Sequence, residues 1–313
     1  MVHIAKARLD DGHFSTEEVR RSAKLALTTS RIIAFQKDQY DEPPNIAAGF
    51  DSLNISCEGP IRANLIANEI TADTFRIAIE TWGDATLYSA STTWIEHKAN
   101  AKQCIFGQYD TSIDKQIPAK PAPSTKSSPV KTKTSKKTPA SLPQKCAKSI
   151  TFPQPFTEPP SVICWLNRLD LPSGRENDYK LRAFPDTISP AGFTAHLNTW
   201  DNGTMSGAAM CWIAFPSSKR HVDSGRFSTN DVRKRTQPRE RTMGRVVFRK
   251  KFEVVPTVLA ALNAVDVAGN ADLRVRVRVE EVSKEGFRWY LETWGDSTVY
   301  SAGASWIALG FPE

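Results

Sequence analysis

The chain has 313 residues, and at about 150 residues per domain this length predicts two domains. Lys and Arg number 41 against 34 Asp and Glu, so the formal net charge is +7, which suggests an anionic partner such as nucleic acid or an acidic membrane surface. Charged residues at 24% and hydrophobic residues at 40% are ordinary values for a globular chain. They exclude disorder throughout and a collagen-like repeat.

Several signals that would indicate a membrane, a secretory route or a bound metal are absent from the sequence. No run of about 18 apolar residues occurs, so no membrane span is predicted, and the N-terminal segment has no apolar signal region. The five cysteines are an odd number without a CxxC pair, which favours reduced thiols in a cytoplasmic protein, released if at all by an unconventional route. A disulfide between Cys164 and Cys211 stays open as the alternative. The histidines show no ligand spacing, so neither a metal nor another cofactor is predicted.

The predicted elements begin with the signature DDGHFSTEEVR at 10–20, and the stretch at 15–27 has room for one helical turn at most. The block ETWGDATLYSASTTWI at 80–95 then reads as a strand, a tight turn with Gly and Asp, and a returning strand. Residues 115–148 contain nine Lys, six Pro and no acidic residue. This composition predicts an extended tether that buries no core. Without those nine charges the rest of the chain sums to −2, which argues against nucleic acid as the partner.

The remaining elements repeat the first ones. NTWDNGTMSGAAMCWI at 198–213 is a weak copy of the hairpin block, DSGRFSTNDVR at 223–233 copies the first signature, and ETWGDSTVYSAGASWI at 292–307 is identical to the first block at eleven of sixteen positions. The segment 273–279 alternates Val with Arg, as a half-buried strand does. A second basic run at 233–251 lies inside a repeat, so part of it is expected to be a solvated face. Three copies of an all-β sandwich of roughly 90 residues are therefore predicted.

Spacing places the tether inside the second copy. Gly12 to Phe35 and Gly225 to Phe248 are both 23 residues apart, whereas Gly107 to Phe152 is 45. The predicted domains are residues 1–99, 100–217 with an insertion at about 114–148, and 218–313. The alternative is that GQYDT at 107–111 matches by chance and the tether simply separates domains.

These motifs carry a family resemblance. The third copy reads VVFRKKFEVVPTV, DLRVRV, EGFRWYLETWGDSTVY and ASWIA, and this combination resembles the H-type lectin domain of snail agglutinins, discoidins and many fungal proteins. The third copy resembles it from end to end, the first nearly so and the second loosely. The resemblance implies a six-stranded antiparallel β-sandwich, assembly into trimers, and a galactose-type sugar, often N-acetylgalactosamine, at the seam between subunits. Three fused copies then suggest an intramolecular pseudo-trimer, monomeric in solution.

The resemblance also implies which residues bind the sugar. One side of the seam is expected to hold an N-terminal loop with Gly and Asp, together with the Arg of the Leu-Arg-Val strand. The other side is expected to hold the Trp and Tyr of the hairpin and the residue after that Trp. The corresponding residues are Arg62, Trp82, Gly83, Tyr88, Gly12 and Asp11 in the first copy, and Arg274, Trp294, Gly295, Tyr300, Gly225 and Asp223 in the third. The middle copy keeps Trp200 but has Lys180, Asp201 and Ser206 at the other positions and Gly107 at the weakest match.

Each of these assignments has a simpler alternative. The hairpin Trp residues could only brace their turns, and Arg62 and Arg274 could guard a solvated strand edge. Trp94, Trp212 and Trp306 in the closing strand are expected to be core. Glu80 with Asp84 and Glu292 with Asp296 resemble paired carboxylates, but no nucleophile accompanies them, so turn chemistry is favoured over glycoside hydrolysis and no enzyme is predicted. The sequence favours a multivalent lectin, with an interaction scaffold that grips an anionic partner through its basic segments as the second hypothesis.

Overall fold

The computed structural model of the chain describes residues 12–99, 101, 103–114, 144–174 and 177–311. Most of the tether and Asp11 lie outside this part of the chain. Repeat 1 (residues 1–99) has a 3-10 turn at Thr16–Glu18, where one helical turn was expected. Its strands are β1 (His13–Ser15), β2 (Thr28–Ala34), β3 (Asn45–Ile55), β4 (Ile61–Asn68), β5 (Thr74–Glu80) and β6 (Leu87–His97).

Repeats 2 and 3 (residues 100–217 and 218–313) follow the same plan. Repeat 2 has β7 (Ile105–Asp110), a one-turn helix α1 (Thr111–Asp114), β8 (Lys145–Thr151), β9 (Ser161–Leu171), β10 (Tyr179–Ser189), β11 (Gly192–Asn198) and β12 (Gly207–Phe215). Repeat 3 has β13 (Val222–Ser228), a 3-10 turn (Thr229–Asp231), β14 (Arg241–Val247), β15 (Thr257–Val267), β16 (Leu273–Glu280), β17 (Gly286–Glu292) and β18 (Val299–Leu309). The alternating Val-Arg segment is β16, and its Val side chains face the core as predicted.

The end of the tether differs from the prediction. Composition predicts Lys145 to Lys148 as part of it, but they belong to β8, which pairs in register with β11 from Lys145 opposite Asn198 to Thr151 opposite Gly192. The high Lys content concealed a strand whose inward side chain, Cys146, joins the core. An edge strand tolerates this composition because its outward Lys side chains stay in water.

Every sheet is shared between two repeats. The three six-stranded antiparallel sheets run β1-β6-β3-β16-β17-β14, β13-β18-β15-β10-β11-β8 and β2-β5-β4-β9-β12-β7. Each repeat divides its strands into two three-stranded halves, and each half continues into a half from a different repeat. The three repeats therefore close a ring within one chain, which confirms the predicted fold with its pseudo-threefold arrangement.

The ring has three seams, each named by the repeats it joins. Seam 1–2 pairs β4 with β9, seam 2–3 pairs β10 with β15, and seam 3–1 pairs β16 with β3. β3, β9 and β15 correspond position by position, and each has a bulge at the same place, which falls at Asp51, Asn167 and Asn263. A bulge adds twist to the strand and so helps it turn from its own sandwich toward the neighbouring repeat.

Each repeat closes its core with one Trp of the final strand. Trp94, Trp212 and Trp306 are buried, as predicted, and they pack edge-on against Phe75, Phe193 and Phe287. Aromatic pairs in this geometry contribute about 0.5–1.5 kcal/mol beyond the area they bury. Each closing Trp thus packs against a Phe of its own repeat, while the sheets extend across repeats.

A second apolar cluster lies where the three repeats meet. Trp165 of repeat 2 fills this position, and its Nε1 donates to the carbonyl of Ser305 in repeat 3 at 2.9 Å. The corresponding residues of the other repeats are Gly49 and Ala261, and a Cβ on Gly49 would overlap both Trp165 and Ala261. One large side chain therefore packs against two small ones, and the approximate threefold symmetry is broken at its centre.

All five cysteines are free thiols, so the alternative of a disulfide between Cys164 and Cys211 is wrong for this structure. Burial raises the pKa of Cys211 to about 12, and its thiol donates to the carbonyl of Ala48 across the repeat boundary at 2.9 Å. Within the described ranges, no helix is both long and apolar enough to cross a membrane.

Candidate functional site

Each seam holds a basic side chain at the same position, the second residue of β4, β10 or β16. Arg62 forms ion pairs with Asp84 at 2.9 Å and Asp170 at 3.2 Å, and the second of these crosses the seam. Its counterparts Lys180 and Arg274 also have two carboxylate partners each, namely Asp178 with Asp201 and Asp272 with Asp296. These carboxylates fix the direction of each basic group, so its remaining donors are held in place before any ligand arrives.

The hairpin turn lies directly against this basic group. Gly83 and Gly295 adopt positive φ angles of 63° and 66°, and Asp201 takes 51° at the same position in repeat 2. A Cβ on Gly83 would stand 2.5 Å from Nη1 of Arg62, and one on Gly295 would stand 2.8 Å from Nη1 of Arg274. Glycine is required there both by the backbone angle and by the close guanidinium. The sequence predicted Gly83 and Gly295 as ligand contacts, and the structure gives them this packing role.

The structure assigns the Trp and Tyr of one hairpin to two different seams, whereas the prediction placed them at the same site. Arg62 and Trp82 belong to the same side of a seam, because the Cζ of Arg62 lies 5.9 Å from the centre of the Trp82 ring. Tyr88 is instead the second residue of β6, which pairs with β3, and β3 pairs with β16 of repeat 3. Tyr88 therefore accompanies Arg274 and Trp294 at seam 3–1. By the same topology Tyr300 accompanies Lys180 and Trp200 at seam 2–3, and Ser206 accompanies Arg62 at seam 1–2.

The glycines and acids of the N-terminal signature lie away from the seams. Gly225 is in the edge strand β13 opposite Trp306, and Asp223 is opposite Ala308 and binds the backbone and side chain of Arg249. At about 3.3 Å per residue these positions are more than 20 Å along β18 from the hairpin turn. The structure therefore places neither residue at a seam, where the prediction put the sugar.

The same glycine position serves the core in the other repeats. Gly107 lies opposite Trp212, and a Cβ there would collide with the indole ring, as one on Gly225 would crowd Trp306. Gly12 accepts a hydrogen bond from Thr93 Oγ1 beside β1. The glycine leaves room for the closing Trp, which explains why the signature repeats. Asp11 lies outside the described residues, so its predicted role stays a prediction.

In repeat 3, a residue shortly after the repeated signature reaches a seam. Arg235, in the loop after the second 3-10 turn, pairs with Asp266 at 2.6 Å and with Asp178 at 3.5 Å, and its Cζ lies 4.7 Å from the centre of the Tyr300 ring. Because Asp266 and Asp178 come from repeats 3 and 2, this arginine fills seam 2–3. Its counterpart in repeat 1 is Ser22, which donates to Glu17.

The three seams are therefore unequal. At seam 1–2, Arg168 of repeat 2 covers the Trp82 ring at 5.2 Å and is held by Asp110, and at seam 2–3 Arg235 covers Tyr300. At seam 3–1 the two corresponding positions are Ser52 and Ser22. Among the described residues, only this seam combines Arg, Trp and Tyr. Its Trp294 ring is approached by Arg276 of the same repeat, with the Cζ 5.6 Å from the ring centre, whereas no described arginine of repeat 1 covers it. The complete set is Arg274, Trp294, Gly295, Asp296 and Tyr88.

The acidic residues beside the hairpin are held as anions. Burial raises the pKa of Glu292, but hydrogen bonds from Arg278 and Arg276 outweigh it and lower the pKa to about 2. Arg274 lowers the pKa of the exposed Asp296. Neither group is poised as a general acid near neutral pH. Among the described residues, no cluster of three or more His, Cys, Asp or Glu could hold a metal.

Several seam residues were missed at the sequence level. Asp170 and Asp266 occupy the next-to-last positions of β9 and β15, and Arg168 and Arg235 cover aromatic rings of another repeat or loop. No local pattern marks them, because their role depends on which strand lies across the seam. Asp84 and Asp296 did carry a signal, since both stand in the repeated TWGD turn, but that signal was interpreted as turn chemistry alone.

Fold and seams together define a class of protein, a closed ring of three β-sandwiches with polar and aromatic surfaces where the sandwiches meet. The model of the H-type lectin domain matches residues 30–95, 147–215 and 244–309, which is more than half of the chain. The chain belongs to the H-type lectin domain family, with three tandem copies. Membership supports a lectin-type, carbohydrate-binding role.

Two individual proteins are similar over shorter stretches. The protein called ATP synthase subunits region ORF 7 from Fuscovulum blasticum is 30% identical over 73 residues, which are 23% of this chain and 63% of that relative. The chain thus spans less than two thirds of the relative's length. The structure of recombinant discoidin II from Dictyostelium discoideum is 18% identical, with 50% of this chain and 74% of that chain covered and a TM-score of 0.26.

Proposed function

We propose that the protein is a non-catalytic lectin that binds a galactose-type sugar, such as N-acetylgalactosamine, at seam 3–1. The observation that carries the proposal is the combination of Arg274, Trp294 and Tyr88, which among the described residues occurs at this seam alone. Guanidinium N–H groups can donate to vicinal hydroxyls, and hydrogen bonds to a charged group contribute about 1.5–3 kcal/mol each. The charged, exposed Asp296 accepts from a hydroxyl, and an aromatic ring offers apolar area to the C–H face of a sugar.

The proposal assigns one complete site to each chain. Seam 1–2 lacks the Tyr, and Arg62 and Trp82 there already contact Asp170 and Arg168. Seam 2–3 has Lys180 in place of Arg, together with the inserted Arg235. Multivalent binding, which three repeats would otherwise suggest, therefore requires several chains on one glycan-covered surface.

The test compares two seams on a broad glycan array. Arg274→Ala with Trp294→Ala should remove most binding to galactosamine-type glycans, whereas the matched variant Arg62→Ala with Trp82→Ala should retain it. Thermal unfolding of both variants checks that each stays folded. The proposal is wrong if the unmodified protein binds no neutral glycan, and the choice of seam is wrong if the matched variant loses binding instead.

The second candidate is an interaction scaffold that grips an anionic partner through the Lys-rich tether or the run at 233–251. Salt discriminates between the two functions. Binding that depends on neutralised anions weakens steeply as salt rises, whereas binding of a neutral sugar hardly changes. Repeating the array at low and high salt therefore separates them in one experiment.

A further inference from the structure

We infer that the outer face of repeat 3 binds a sulfated polysaccharide that continues from seam 3–1. This inference deepens the proposed function and rests partly on it, because the face adjoins the proposed sugar site. The outer face of repeat 3 is formed by three cross-strand rows on β14, β17 and β16. The rows are Arg241, Glu292 and Arg276, then Met243, Tyr290 and Arg278, then Arg245, Arg288 and Glu280.

The equivalent faces of the other two repeats differ in charge. In repeat 1 the rows are Thr28, Glu80 and Asn64, then Ser30, Ala78 and Ile66, then Ile32, Arg76 and Asn68. In repeat 2 they are Lys145, Asn198 and Arg182, then Ala147, His196 and Phe184, then Ser149, Thr194 and Asp186. Five arginines against two glutamates thus occur in repeat 3 alone of the three faces. Because all three faces have the same backbone, the fold does not require this charge.

One buried carboxylate holds three of these arginines in place. Glu292 Oε1 accepts from Arg241 Nε at 2.7 Å and Arg278 Nη2 at 3.0 Å, and Oε2 accepts from Arg276 Nη2 at 2.8 Å and from Nε of Arg276 and Arg278. The glutamate side chain is 4% exposed, while those of the three arginines are 35–62% exposed. Glu292 therefore positions three cations at the surface. Because Arg278 also pairs with Glu280 at 2.6 Å, two carboxylates face these three arginines and one positive charge is left uncompensated. Such preorganisation lowers the entropic cost of binding an anion.

The rings of Tyr290 and Trp294 support the same arrangement of arginines. The Cζ atoms of Arg241 and Arg278 lie 5.5 and 5.3 Å from the centre of the Tyr290 ring, and that of Arg276 lies 5.6 Å from Trp294. Beyond them, Arg245 and Arg288 stand directly opposite each other on β14 and β17, and Arg288 has one carboxylate partner, Glu281 at 2.9 Å. Like charges in directly opposed positions destabilise a sheet. An oxyanion bound between them would remove that repulsion.

A sulfated glycan suits this face better than the other common polyanions. The planar guanidinium fork matches an oxyanion in two-point contacts. Successive rows are about 7 Å apart along the strands, so a chain with several sulfates can contact more than one row at once. Single-stranded nucleic acid relies on exposed rings that stack with bases, but Tyr290 is only 7% exposed and lies beneath arginines. Arg274 and Arg276 are neighbours on the same face of β16, which connects the arginine rows to seam 3–1.

The test measures binding of the full chain to immobilised heparin, with unsulfated hyaluronan as the control polymer. Arg245→Gln with Arg288→Gln removes two exposed charges without disturbing Glu292, and about tenfold weaker binding is expected for each lost charged contact. Arg76→Gln with Arg182→Gln removes two charges from the equivalent faces of repeats 1 and 2, and it should bind as the unmodified chain does.

The outcomes separate this inference from the seam proposal. If the repeat 3 variant loses heparin binding but keeps neutral-glycan binding, the outer face is supported as a distinct anion site. This conclusion holds even if Arg274→Ala with Trp294→Ala leaves neutral-glycan binding intact, a result that would count against the seam proposal alone. Equal weakening in both paired variants, unchanged binding in the first, binding lost only on removal of residues 115–143, or no heparin binding at all would each overturn it. Tighter binding of single-stranded RNA than of heparin through the same arginines would overturn the choice of a sulfated glycan.

Discussion

At the scale of single residues, three equivalent bulge positions show how one charge can differ among copies of the same fold. Asn167 and Asn263 are neutral, but repeat 1 has Asp51 at this position. Burial raises the pKa of Asp51 to about 6, even though His13, a hydrogen bond from Ser91 and the charge of Arg276 act in the opposite direction. His13 Nε2 lies 3.5 Å from Asp51 Oδ2, and Ser91 donates to Oδ1. The net effect of the site is to disfavour the carboxylate.

Replacement of Asp51 with Asn should therefore stabilise the protein at neutral pH. The ordinary pKa of this carboxyl is 3.8, so the unfolded chain releases its proton first, and the native state of the unmodified protein loses stability as pH rises from about 4 to about 6. Asp51→Asn should remove that slope and raise the free energy of unfolding at pH 7 by about 1–3 kcal/mol. Urea unfolding at several pH values measures both, with the exposed Asp41→Asn as control. A less stable variant at pH 7 would contradict the prediction.

Residue types at the seam were predictable from the sequence, but their combination was not. Arg274, Trp294 and Tyr88 are all identified by the repeated motif, yet the motif assigns Trp and Tyr of one hairpin to the same site. The structure separates them because the two strands of the hairpin, β17 and β18, belong to different sheets. A strand, a turn and a second strand suggested a hairpin paired with itself, and nothing in the local sequence shows that the chain crosses from one sheet to the other.

At the scale of strands, the alternating pattern predicted which side chains face the core, as in β16, but not which strand lies at each edge. The interpretation of Arg62 and Arg274 as guards of a solvated edge is wrong, because β4 and β16 are central strands paired with β9 and β3. Periodicity reports the two faces of a strand, whereas its two edges carry only backbone groups that are alike in every strand. The alternating pattern therefore predicts the strands of each sandwich, but it does not predict which strands pair across repeats.

Hydrogen exchange should reveal this pairing. The six seam strands β3, β4, β9, β10, β15 and β16 should exchange among the slowest amides, because each pairs with a strand of its own repeat and also with a strand of the neighbouring repeat. The edge strands β1, β2, β7, β8, β13 and β14 should exchange faster, since they open without disrupting a second ladder. Exchange resolved by residue, at a pH where the protein is stable, measures this order. If β4 and β16 exchange as fast as β2 and β14, the repeats fold as three separate sandwiches.

At the scale of the whole molecule, fusion of three copies allows what an assembly of identical subunits does not. A symmetric ring must place the same residue three times around its centre, and three copies of Trp165 would occupy space that one Trp now shares with Gly49 and Ala261. The same freedom gives three different seams, of which one keeps the full set of candidate sugar-binding residues and two are filled by Arg168 and Arg235. The centre and the seams thus show the same loss of symmetry.

A double-mutant cycle at the centre tests whether the three repeats share one packing core. Trp165→Ala should cost about 3–5 kcal/mol through the cavity it leaves, and Gly49→Leu should cost about 1–3 kcal/mol because its side chain has no room beside Trp165. Combined, the leucine can enter the space vacated by the indole, so the double variant should be more stable than the sum of the two losses predicts, by about 0.5–3 kcal/mol.

Denaturant unfolding of the four proteins measures the cycle, and sedimentation velocity on the same samples should give the mass of one chain, because the ring is already closed by its own three repeats. Additive losses would mean that Gly49 and Trp165 do not meet in solution. A stable trimer of chains would mean that seam strands pair between molecules, in which case the single complete seam at Arg274 would be formed three times in each assembly and the avidity expected for one chain would rise accordingly.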